Sequence, residues 1–90
     1  MYELIYTSKI KKDIKLCKRR KYDFEEFKII IEILESKGEL PLTYKPNKLS
    51  GTYSGRWECH IKPDWLLIWK QNESEKEIYL ERTGTHSDLF

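Results

Sequence analysis

The chain lacks any long apolar run. Its longest, Trp65–Trp69, spans five residues, against the roughly 20 that a transmembrane helix requires. No basic stretch followed by an apolar one opens it, so no secretion leader is expected. Cysteine is scarce: Cys17 and Cys59 lie far apart within apolar patterns, and a leaderless chain ordinarily keeps such thiols reduced. A cytoplasmic protein is the expectation. No glycine-rich loop follows a strand to cradle phosphate, and no Ser/His/Asp arrangement suggests acyl chemistry. Repeats, linkers and low-complexity tracts are missing too, which leaves one domain over residues 1–90. Histidine occurs twice, as His60 and His86.

Charge is plentiful, at 36% of residues, and 13% aromatic content supplies the bulk for a core. That balance fits a folded domain with a heavily solvated surface rather than a disordered chain. The net charge of +2 conceals a strong asymmetry. Residues 1–21 carry +6, 22–40 carry −4, 41–70 carry +3 and 71–90 carry −3. The basic opening, with Lys9, Lys11, Lys12, Lys15, Lys18, Arg19 and Arg20, forms an electrostatic footprint suited to a polyanion such as RNA. An ordinary solvated helix face has the same composition.

Residues 2–7 (YELIYT) read as a strand. In 8–21, Ile10, Ile14 and Cys17 fall on one helical face among lysines, with Ser8 as the cap. A second helix follows over 23–38, opened by an Asp23/Glu26 capping box and closed by Gly38. Its buried stripe is Phe24, Phe27, Ile31 and Leu34, widened by Ile30 and Ile33. So short a link between helices predicts an antiparallel hairpin. Residues 39–55, rich in Pro, Gly and small polar residues, read as one long loop. Strict alternation in RWECHIK (56–62) predicts a half-buried strand with Arg56, Glu58, His60 and Lys62 facing solvent. DWLLIWK (64–70) is apolar on both faces, as in a central strand. A turn at 71–76 and a strand at 77–82 complete a β-α-α-β-β-β order. The fold class is therefore α+β, a mainly antiparallel twisted sheet packed against two helices.

The chemistry concentrates near the C-terminus. A hairpin turning at Lys62–Pro63 brings Asp64 close to the His60 end. Arg82 closes the last strand, and Thr83-Gly84-Thr85 bends the chain to deliver His86. If the tail folds over the hairpin, His60, Asp64, Arg82 and His86 converge. That set suits phosphodiester cleavage without metal: two imidazoles exchange protons near neutral pH, a guanidinium binds the phosphate oxygens, and a carboxylate orients a histidine. Metal ligation by Cys59, His60 and His86 fits poorly, since neighbours on a strand face opposite ways. A buried Cys59 makes a poor nucleophile. Trp65, beside Asp64, is suited to core packing or to stacking on a base.

ECHIKPDWLLIWK (58–70) and ERTGTHSDLF (81–90) resemble the YafQ branch of the RelE superfamily, the toxins of bacterial type II toxin–antitoxin modules. The motifs are H-x-x-P-D-W-x-L-I and R-x-G-[ST]-H-x-x-L-F; the LPLTYKPNKLSG loop is similar but less distinctive. The resemblance implies a compact ribonuclease-like domain that cleaves mRNA in the ribosomal A site, with no cofactor. It implies proton transfer by His60, Asp64 and His86, with acid and base unassigned. Arg82 would then stabilise phosphate and Phe90 would orient RNA, with Trp65 beside these site residues. The basic first helix would meet the ribosome, a cognate antitoxin would wrap the toxin, and operator DNA would be contacted only through that complex. Two departures stand out. Many relatives carry a loop histidine where this chain has Asn47, which can hydrogen-bond substrate but cannot transfer protons near pH 7. Relatives also commonly place an arginine differently relative to the Glu/Asp-x-His stretch; here Trp57 precedes Glu58, and Arg56, one step earlier and on the His60 face, is the candidate to replace that guanidinium. The rival readings are a non-catalytic RNA- or ribosome-binding module and an inactive relative that acts through antitoxin binding.

Overall fold

The computed structural model describes residues 1–90. A short strand, β1 (Glu3–Tyr6), leads into α1 (Ser8–Arg19). Thr7, not Ser8, caps this helix. Its hydroxyl accepts the Ile10 amide at 3.3 Å and donates to the Leu80 carbonyl at 2.9 Å, so one side chain starts the helix and ties it to the sheet. Ile10 and Cys17 are buried, as the periodicity required.

The second helix, α2 (Glu25–Lys37), opens differently from the expected capping box. Asp23 accepts the Glu25 amide at 3.0 Å, while Glu26 takes the Tyr44 hydroxyl at 2.9 Å and so staples the following segment to the helix. The buried stripe centres on Phe27, Ile30 and Leu34, rotated from the expected one. Gly38 ends the helix with φ of 71°, a left-handed conformation that favours glycine, and a Cβ there would also run into the Tyr2 ring.

Residues 39–55 are more structured than a loop. They hold two single 3₁₀ turns, Leu42–Tyr44 and Gly51–Tyr53, and between them a two-residue strand, β2 (Asn47–Lys48). Three longer strands follow: β3 (Trp57–Lys62), β4 (Trp65–Asn72) and β5 (Glu77–Gly84), then a one-turn helix, α3 (His86–Leu89). β4 and β5 each run two residues past their expected ends, because pairing with each other satisfies backbone that propensity alone leaves open.

The sheet has five strands in the order β1-β5-β4-β3-β2. Only β1 and β5 pair in parallel. α1 packs over β5 and α2 over β3, which puts the main core on one face, with Trp69, Leu67, Ile78 and Leu80 against both helices. Truncating Leu34 or Ile30 in such a core costs about 2–5 kcal/mol. The other face is not simply solvated. Leu66, Ile68 and Leu89 form a second small core there with Leu49 and Tyr53. The 39–55 segment and the C-terminal tail therefore close over the outer face. That cover buries Glu58, which the alternation had placed in solvent. No helix is long and apolar enough to cross a membrane.

Candidate active site

The floor of the site is a pair of register rows on the outer face. Asn47, Glu58, Ile68 and Arg82 are successive Cα partners across β2, β3, β4 and β5. His60, Leu66 and Gly84 form a neighbouring row. Directly opposed residues share a face, so the polar members of both rows stand on the side covered by the tail. His60 is half-buried, with Nδ1 3.4 Å from the Pro63 carbonyl oxygen. It borders a cleft of about 460 Å³ with Tyr44, Lys45 and Lys62. Glu58 is buried, and its Oε1 has no hydrogen-bond partner.

The tail brings the second histidine to the hairpin turn. The amide of His86 donates to Asp64 Oδ1 at 3.1 Å, and its imidazole Nδ1 lies 3.9 Å from the same oxygen. The His86 imidazole therefore faces the carboxylate that also accepts its backbone amide. The rings of His86 and Phe90 are 5.3 Å apart, and Tyr53 packs edge-on against Phe90 at 5.3 Å. The Tyr53 hydroxyl also donates to the Leu89 carbonyl at 3.0 Å, so the 39–55 segment grips the tail by ring and by hydrogen bond. Phe90 remains 59% exposed, an aromatic face left open to a base. Thr85 starts α3 with a complete capping box: its hydroxyl accepts the Asp88 amide, and the Asp88 carboxylate accepts the Thr85 amide.

Arg82 is held by an acid from α1. Its Nε donates to Asp13 Oδ2 at 2.7 Å and its Nη2 to Asp13 Oδ1 at 3.2 Å. Asp13 also accepts the Thr83 amide at 3.1 Å. β1 ends opposite Leu80, so this amide lies on an open strand edge and needs an acceptor. The pair holds the guanidinium's proton more tightly than usual, chiefly through the Asp13 hydrogen bonds. Arg56 donates to Glu81 Oε1 at 2.8 Å and to the Ser54 carbonyl at 3.3 Å. Arg56 and Arg82 border one polar basin with Lys9, Tyr53 and Glu81.

The other expected site residues have different surroundings. Trp65 is 3% exposed; its indole N–H donates to the Thr83 hydroxyl at 2.8 Å, and Tyr22, Phe24 and Phe27 enclose its ring. It contributes by packing beneath Asp64, with no face free for a base. Asn47 is exposed on β2. Lys9, Lys11, Lys12, Lys15, Lys18 and Arg19 are exposed along α1, while Arg20 is engaged by Asp88. No three of the His, Cys, Asp and Glu side chains gather closely enough to chelate a metal ion.

Sequence reasoning passed over Asp13, Tyr53, Glu81 and Asp88. Asp13 left a trace, as the lone acid in a helix otherwise lined with lysine and arginine. The structure thus joins Asp64 to His86 and His86 to Phe90, and sets His60 and Arg82 on the same face through strand register without a direct contact to that trio.

A family model described as bacterial toxin of type II toxin-antitoxin system, YafQ, matches residues 2–90. Over 89 residues the chain is 36% identical to mRNA interferase toxin YafQ of Escherichia coli K12, covering 98% of this chain and 95% of that protein. The crystal structure of YafQ from E. coli strain BL21(DE3) superposes with a TM-score of 0.91 at 33% identity, covering 100% and 99% of the two chains. In a crystal structure of the E. coli DinJ–YafQ complex, the matching chain gives a TM-score of 0.89 at 34% identity, with coverage of 100% and 99%.

Proposed function

The chain belongs to the YafQ family of bacterial type II toxins, and from that premise we propose that it is an mRNA interferase, an endoribonuclease that cuts mRNA in the ribosomal A site. The observation that carries the site is the pairing of His86 with Asp64. It supports the reading by bringing the carboxylate of the β3–β4 turn up to the one-turn helix that carries the His86 imidazole and leads into the exposed Phe90 ring.

The chemistry is an acid–base transesterification. A base takes the proton from a ribose 2′-hydroxyl, and the 2′-oxygen attacks the adjacent phosphorus. The bond to the 5′-oxygen breaks, an acid protonates that oxygen, and the products are a 2′,3′-cyclic phosphate and a 5′-hydroxyl. His60 and His86 divide the two proton transfers, each worth roughly 10²–10⁴-fold when positioned. Asp64 orients His86 and stabilises its imidazolium form. Arg82 binds the non-bridging oxygens, and its guanidinium stays charged throughout. Phe90 stacks on a base to fix the scissile phosphate between the histidines. Asn47 and Arg56 border this region as substrate contacts, and the α1 lysines meet ribosomal RNA.

A cognate antitoxin binds this toxin, a reading supported by the E. coli YafQ solved in a toxin-antitoxin complex with DinJ; its binding neutralises the enzyme, and the cytoplasm is where both act. Operator DNA is reached only through that complex. A non-catalytic binding module is the reading favoured by the ion pairs already engaging Arg82 and Arg56. Purified protein, with and without programmed ribosomes, separates the two. Ribosome-dependent cleavage by wild type and none by His86→Ala supports the enzyme, whereas an intact transcript with wild type rejects it.

A further inference from the structure

The tail that presents His86 and Phe90 is held by a contact outside the proposed chemistry. Arg20, just past the end of α1, reaches Asp88 with two donors: Nη1 to Oδ2 at 2.7 Å and Nη2 to Oδ1 at 3.0 Å. The same carboxylate accepts the Thr85 amide at 2.8 Å, and the Asp88 amide donates to the Thr85 hydroxyl at 3.2 Å. Gly84 makes room for this arrangement, since a Cβ there would come within 2.7 Å of Asp88 Oδ2. Arg20 is braced in turn by the Tyr22 hydroxyl at 3.5 Å, and Tyr22 packs edge-on against Trp65 at 4.8 Å. A one-turn helix has no stability of its own. Within it only Leu89 is buried. Leu89 and the Tyr53 ring seat the tail on the sheet, and the polar anchors at Asp88 are what hold the first turn of α3 to the end of α1.

We propose that Arg20 and Asp88 form a latch: through Asp88, Arg20 fixes α3, and with it the placement of His86 against Asp64 and of Phe90 against Tyr53. Both are positioning residues, and neither touches RNA. The inference rests on the reading of His86 and Phe90 as site residues. It separates Arg20 from the α1 lysines, whose ammonium groups are free to meet phosphate. The two accounts of Arg20 differ sharply. As a phosphate contact, Arg20→Gln weakens RNA binding and lowers its salt dependence, while Asp88→Asn leaves cleavage unharmed. As a latch, both substitutions impair the same step.

The test is single-turnover cleavage of mRNA on programmed ribosomes by wild type, Arg20→Gln, Arg20→Lys, Asp88→Asn, the Arg20→Gln/Asp88→Asn double variant and His86→Ala. Each latch variant except Arg20→Lys is expected to lower the maximal rate about tenfold while half-saturation stays within about twofold, the signature of misplacement rather than lost binding. The double variant should be no slower than either single one, because the two side chains act as a unit. Arg20→Lys, which keeps one donor to the carboxylate, should recover part of the rate. The His86 and Phe90 ring resonances should shift in the singles while far-UV dichroism stays unchanged. Additive losses, or full activity in Arg20→Gln beside an inactive His86→Ala, would overturn the latch and leave the active site standing. Normal cleavage by His86→Ala would remove the active-site reading, and the latch with it.

Discussion

Asp13 and Arg82, 69 residues apart in sequence, form a two-point ion pair across the open edge of β5, at 2.7 and 3.2 Å. The pair is mostly buried, with 15% of the Asp13 and 24% of the Arg82 side chain exposed, and the Thr83 amide shares the same carboxylate. Removing the acid strands one guanidinium and one amide together. Asp13→Ala should therefore destabilise the protein by about 1–3 kcal/mol in urea unfolding. It should also slow cleavage, because the guanidinium is no longer aimed. Unchanged stability would mean that water replaces the carboxylate without cost.

Asp64 poses the converse case. It is 70% exposed, so its replacement should barely alter stability, within about 0.5 kcal/mol. Asn at this position can still accept the His86 amide, but it carries no charge to stabilise an imidazolium. Asp64→Asn should lower the cleavage rate on ribosomes about 10²-fold with an unchanged thermal midpoint. Wild-type cleavage would remove Asp64 from the site.

The acid limb of stability should report on Asp88. Hydrogen bonds from Arg20, and then from Thr85, hold its carboxyl well below the usual carboxylate range. The folded protein thus keeps this group ionised at pH values where the unfolded chain, with a pKa of about 3.9, takes up a proton. The stabilisation is present above that pH and fades as pH falls below it. Asp88→Asn should flatten the dependence of unfolding free energy on pH between about 4 and 2. An unaltered slope would show that the carboxylate is not held this way in solution.

The two thiols should be inert in the native state. Burial pushes Cys17 up to about 11, and burial drives Cys59 higher still. Thiolate is the reactive species, so a disulfide-exchange dye at pH 8 should label neither at an appreciable rate. Denaturant should release both. Fast native labelling would indicate an opening of the α1 or β3 packing.

Much of this site was legible because its residues lie close together in sequence. The turn after Lys62 forces Asp64 to the His60 end, and Arg82, Gly84 and His86 follow one another along a single strand and bend. Gly38 marked its helix end for the same local reason. What escaped was long-range. β2 comprises only Asn47 and Lys48, residues with no strand signal of their own, and exists because β3 offers an edge. Glu58 followed the alternation faithfully, yet the outer face it occupies is covered by Tyr53, Leu49 and Leu89 from segments far away in the chain. Asp13 stood out by charge alone, and nothing in the helical pattern could reveal that it closes the edge of β5. Periodicity tells which face a residue occupies but is silent about what later folds onto that face.

Phe90 gives the sharpest separation of function from stability. Its ring contacts only the rings of His86 and Tyr53 among aromatic partners and is largely exposed, while its backbone amide donates to the His86 carbonyl at 2.8 Å. Phe90→Ala keeps that backbone bond and removes only the ring. If the ring stacks on a base, worth roughly 1–3 kcal/mol, the variant should cleave about 5- to 150-fold more slowly while its thermal midpoint hardly moves. Tyr53→Phe is the complementary control, since it keeps the ring packing and loses the bond to the Leu89 carbonyl. A modest loss there, beside a large one in Phe90→Ala, locates the effect in substrate contact. Equal losses would instead trace it to loosening of the tail, and wild-type cleavage by Phe90→Ala would exclude the terminal ring from the reaction.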